Sequence, residues 1–150
     1  MQDQQTNSFG TLAGLWGVLG LTLCFGWAIY RLGLLAVLAL EYDWHIGHWI
    51  AFVGNTAFMA YAEGYKGFQL SFSPRTVARA RYIQDRPGWI SGLLAPLFCA
   101  GYFGAEARTL KIIWIGTLAI VVLVVFVRWL PQPWRGIVDA GVVVGLSWGM

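Results

Sequence analysis

Apolar residues in this chain gather into long blocks rather than into the one-sided stripes of a water-soluble helix. Leu12–Tyr30, Pro87–Ala105 and Ile112–Val127 contain no Asp, Glu, Lys or Arg. Crossing a bilayer takes about 20 mainly apolar residues in a helix, because nothing inside the hydrocarbon satisfies an open backbone. The blocks predict spans over about 10–40, 46–65, 89–105 and 112–130, with a shorter segment over 137–150. The one long stretch suited to water, KGFQLSFSPRTVARARYIQDRPG (Lys66–Gly88), is expected as a basic loop between the second and third spans. The expected fold is all-α: a polytopic integral membrane helical bundle of four transmembrane helices plus a short glycine-faced fifth segment, forming a single membrane domain.

Local signals refine this outline. The first apolar run is interrupted only by Arg31 and exceeds the bilayer thickness, so the helix must tilt, kink or project. Gly10, Gly14, Gly17 and Gly20 give that helix a small face, and Gly141, Gly145 and Gly149 repeat GxxxG spacing in the last. Such faces let helices approach closely in lipid. Ser73-Pro74 reads as a helix start, serine capping and proline at the first position, with Pro87-Gly88 as its stop. Pro96 predicts a bend within the third span.

Composition agrees with the blocks. Of 150 residues, 58% are hydrophobic and 11% charged, where soluble chains average about 45–50% and about 25%. The net charge of +3 does not point to nucleic acid, because most basic residues flank apolar spans, as membrane topogenesis requires. Cys24 and Cys99 fall inside predicted spans and are expected as small apolar packing residues. No Lys or Arg precedes the first apolar run, so that segment is expected to be retained rather than cleaved.

Counting basic residues across the predicted spans places Lys66, Arg75, Arg79, Arg81, Arg86, Arg128 and Arg135 on one side, and Arg31, Arg108 and Lys111 on the other. The richer side is assigned to the cytoplasm. A bacterial-type inner membrane with a cytoplasmic N-terminus is the expected setting. Trp44, Trp49, Trp89, Trp129 and Trp134 fall at predicted span ends, where aromatic belts form.

Three sets of residues carry candidate chemistry. Glu41, His45 and His48 would share one face of a continuous helix, a row able to hold a metal from one side or to ligate a tetrapyrrole. An interfacial polar turn is the more ordinary reading, and no cofactor is the leading expectation. Arg31, Asn55, Glu63 and Asp139 are polar positions in or near the hydrocarbon, where ionisable groups mark function by default. Ordinary explanations compete: Lys66 lies one turn from Glu63, and Arg135 four residues before Asp139. Arg75, Arg79 and Arg86 line a basic face, with Tyr82, suited to an anion or lipid headgroup.

No GxSxG, HExxH or phosphate-loop pattern is present, which leans against an enzyme. The role expected first is that of an accessory, assembly or scaffold subunit, surrounded by membrane lipids and packed through its glycine faces into a homo-oligomer or a larger complex. A small oligomeric transporter or channel is the first alternative, and a metal- or pigment-binding protein using His45 and His48 the second.

Overall fold

The computed structural model describes residues 2–86 and 88–150, with side chains from Ser8 onward. Pro87, half of the expected helix stop, lies outside the described residues. Among the described residues the regular structure is all helical, without a strand. Its elements are α1 (Gln2–Leu38), a 3-10 turn (Ala39–Glu41), α2 (Ile46–Met59), a π-helix (Ala60–Phe72), α3 (Ser73–Asp85), α4 (Trp89–Leu93), α5 (Ala95–Ala100), α6 (Ala107–Val127) and α7 (Trp134–Gly149). Two helical stretches are long and apolar enough to cross a membrane, Ser8–Glu41 and Ala107–Val127. Along the second, apolar side chains stand exposed on every face, among them Ile115 (67%), Leu118 (65%) and Phe126 (66%). A helix that is apolar all round belongs in a protein core or in lipid, and this one is not in a core.

Two expectations about the middle of the chain are corrected. The segment expected as a basic loop carrying a short helix from Pro74 to about Gln84 does hold that helix, α3, but it is helical from its start and continues out of α2 as far as Asp85. Ser73 therefore caps nothing; Pro74 instead marks where the π ladder gives way to an α ladder. Proline has no N–H to continue the wider i→i+5 pattern. The third expected span is also not one continuous helix. Pro96 withholds its N–H from the Gly92 carbonyl, and the helix breaks at Leu94 (φ −94°, ψ 22°). Gly101, at φ 98°, then ends α5. Gly101 N–H bonds to Phe98 O (3.0 Å) and Tyr102 N–H to Leu97 O (3.1 Å), the paired closure of a Schellman motif. Eleven helical residues at 1.5 Å each reach only about 17 Å, against the ~30 Å of hydrocarbon.

The chain divides into two compact units. In the first (Met1–Cys24 with Phe72–Thr117), the glycine face of α1 is filled by α3 and α5. A methyl group on Gly14 would meet the Ala80 carbonyl oxygen at 3.0 Å, and one on Gly17 the Cys99 sulfur at 2.7 Å. Gly10 lies against the Gln84 backbone and Gly20 against the Pro96 ring. Ala13, Ala80, Ile83, Ala95 and Cys99 form the small buried core that these approaches create. Cys99 thus packs as expected, whereas Cys24 is exposed.

In the second unit (Phe25–Ser71 with Leu118–Met150), α7 lies along α2 and the π-helix. Its glycine face is filled in the same way: Gly141 by Asn55 and Met59, Gly145 by Met59 and Glu63, Gly149 by Phe68. The paired residue numbers rise together, so α7 runs parallel to α2. Had all five expected segments crossed, the second and last would instead be antiparallel. Trp134, expected at the basic end with Lys66, stacks edge-on to His48 at 4.8 Å.

Candidate functional site

The residues singled out for chemistry separate clearly. Glu41 closes the 3-10 turn, the chain is extended at Tyr42 and His45, and α2 begins only at Ile46. Glu41, His45 and His48 therefore do not share a helical face. His48 Nδ1 accepts the backbone N–H of His45 (3.1 Å), and the two imidazoles stack at 5.5 Å. Trp44 donates its indole N–H to Ala39 O (2.7 Å) and packs on Trp49 at 4.8 Å. The histidines belong to this aromatic turn, and among the described residues no cluster of three His, Cys, Asp or Glu is placed to hold a metal ion.

The basic face is likewise partly committed. Arg79 donates through Nη1 to Phe98 O (2.9 Å) and Phe103 O (2.8 Å), with its guanidinium 5.2 Å from the Phe98 ring. It binds the carbonyl end of α5, where positive charge is favoured. Arg75 is exposed, and Arg86 lies over Tyr82 at 5.8 Å.

Three of the four intramembrane candidates fall in the second unit's helix pair. Asn55 donates its side-chain N–H to Ile137 O (2.8 Å), tying α2 to the start of α7. Glu63 is half-buried eight residues further on, and its carboxylate is turned to Gly145, with Oε2 3.4 Å from where a methyl group on that glycine would sit. Asp139 is buried to 5% exposure, and its Oδ2 lies 3.7 Å from Arg135 Nε, an ion pair too long to be a hydrogen bond. Neither of those two atoms has another hydrogen-bond partner. The fourth candidate, Arg31, is exposed and has no ion pair among the described residues.

The π-helix explains why Glu63 is left without a cation. In an α-helix, residues five apart point about 140° away from each other; in a ladder of i→i+5 bonds they become neighbours. Accordingly Lys66 Nζ sits 5.3 Å over the ring of Tyr61, five residues back, rather than on Glu63. The expected Glu63–Lys66 pair is not formed, and Glu63 has no ion pair among the described residues. Extended π-helices are rare, and short π segments recur at functional sites; this one covers 13 residues.

Sequence reading passed over Tyr61, Tyr65 and Trp148. With Ala57 and Ala60 they line an open apolar groove of ≈360 Å³ on the second unit. The two tyrosine rings stack at 6.1 Å, and Gln69 holds the end of α7 by donating to Trp148 O (3.2 Å). The i,i+4 tyrosine pair was a visible signal; the π geometry that turns Lys66 to join it was not.

No protein-family model, curated protein or solved structure matches this chain.

Proposed function

We propose that this chain is a small multi-pass membrane protein in which Glu63 binds a proton or small cation, the chemical step of a transport or coupling function. The single observation behind this reading is the carboxylate itself. It is half-buried against Gly145, lacks a counter-ion among the described residues, and sits on a π-helix that sends the nearby lysine elsewhere. An ionisable group kept in such a place costs stability and is retained for what it binds. Asn55, bonded across to α7, fixes the helix pair that presents it.

The threading that supports this role differs from the first count. The 89–100 segment is too short to cross, so Lys66 through Lys111 stay on one side, and the chain recrosses in α6. The parallel α7 then starts beside His48 and returns alongside α2. The basic balance is still seven against three, now with Arg108 and Lys111 on the rich side and Arg128 and Arg135 on the poor one. Both termini then face the cytoplasm of a bacterial-type inner membrane.

A second reading, an accessory subunit of a homo-oligomer or larger complex, is favoured by other glycines. Gly26, Gly33, Gly54 and Gly116 meet nothing within 4 Å, leaving small surfaces for another helix. The glycine faces first assigned to that role do not support it, since they are filled within the chain.

The deciding experiment reconstitutes the chain into vesicles carrying a pH-sensitive dye and imposes a proton or alkali-cation gradient. Wild type should dissipate one of them, Glu63→Gln should fall to the protein-free rate, and Glu63→Asp should retain part of the flux. Equal rates for wild type and Glu63→Gln remove the carboxylate from the function and leave the accessory reading.

A further inference from the structure

We infer that the groove between Tyr61, Tyr65 and Trp148 is a binding site for an anionic phospholipid, whose acyl chain lies in the groove and whose phosphate meets Lys66 and the tyrosine hydroxyls. The groove is open on one side and walled by Ala57, Ala60 and three aromatic rings, all of them apolar surface. Tyr61, Tyr65 and Trp148 remain 56%, 45% and 61% exposed, so the walls are reachable from the membrane. Its lining is of the apolar character that takes a hydrocarbon tail, and Lys66 sits over the ring of one wall, Tyr61.

That ammonium carries the selectivity. Lys66 is held over Tyr61 as a cation above an aromatic face, which fixes the ammonium beside the groove wall at modest cost. The hydroxyls of Tyr61 and Tyr65 have no hydrogen-bond partner among the described residues and sit on stacked rings one turn apart. One ammonium and two phenol donors match the acceptor oxygens of a phosphodiester. The competing negative charge, Glu63, is turned to Gly145 and does not line the groove. In sequence, Lys66 falls at the change from the apolar run 46–62 to the basic stretch, the depth at which headgroups lie. Anionic lipid enriches the cytoplasmic leaflet, the side to which the threading assigns Lys66.

The test uses the full chain in phosphatidylcholine vesicles containing a minor fraction of lipid brominated on its acyl chain, either phosphatidylglycerol or phosphatidylcholine. Trp148 emission is taken as the difference between wild type and Trp148→Phe. Brominated phosphatidylglycerol should quench Trp148 more than the same fraction of brominated phosphatidylcholine. Lys66→Gln, an exposed change that leaves the fold intact, should return the ratio to unity, and Tyr65→Phe should lower it. Equal quenching by the two lipids in wild type would mean ordinary annular lipid and would overturn the site. A preference that survives Lys66→Gln unchanged would overturn it as well.

Discussion

The contact of Gly17 with Cys99 gives the sharpest test of how the first unit is held together. Gly17→Ala places a methyl carbon where the Cys99 sulfur stands at 2.7 Å and the Ala95 carbonyl oxygen at 3.2 Å. Cys99 is 1% exposed and cannot swing aside. Overpacking of this kind costs about 1–3 kcal/mol, while alanine returns up to ~1 kcal/mol of helix propensity over glycine; a net loss of about 1–2 kcal/mol is expected. Cys99→Ala alone removes one buried atom and should cost about 0.5–1.5 kcal/mol, as deletion of one methyl does. In the double variant the new methyl occupies the space the sulfur vacated. Its stability should therefore exceed the sum of the two losses by about 1 kcal/mol, within the range seen for touching residues. Gly26→Ala, where a methyl meets nothing within 4 Å, is the control and should lose nothing. Reversible unfolding of the purified protein in mixed micelles, followed by circular dichroism, measures all four. Strict additivity of Gly17→Ala and Cys99→Ala, or an equal loss from Gly26→Ala, would refute close packing of α1 on α5.

Two further outcomes follow from the structure. Arg79→Gln removes the donor to Phe98 O and Phe103 O and the contact with the Phe98 ring; a loss of about 1–2 kcal/mol is expected, toward the low end for charged hydrogen bonds because the site is partly exposed. Hydrogen exchange should rise at the amides of 97–104, and unchanged protection there would deny the arginine its capping role. The threading is checked by single added cysteines read against the parent chain: Gln132→Cys should react with an impermeant maleimide in intact cells, and Gln84→Cys only after lysis. Labelling of both from the same side would reverse the proposed path of α6.

The class of the fold was legible because block length and charge exclusion are strong signals: α1 and α6 fall on two of the three uncharged apolar runs. The glycine repeats were legible as close-packing faces, though not their partners, since spacing says that a backbone comes near and not which one. Two features escaped. The 89–105 run is apolar enough for a span, but Pro96 breaks its helix and Gly101 ends it, so apolar length was not helical length. The π-helix at 60–72 escaped because periodicity arguments assume about 3.6 residues per turn; under that assumption Glu63 and Lys66 are neighbours, whereas in the i→i+5 ladder Lys66 meets Tyr61.

These two misses have one consequence. In the proposed threading, where the third run does not cross, each later segment runs opposite to its course in a five-crossing bundle, in keeping with α7 lying parallel to α2. Only in the parallel arrangement does the glycine face of α7 meet Asn55, Met59 and Glu63 in rising order.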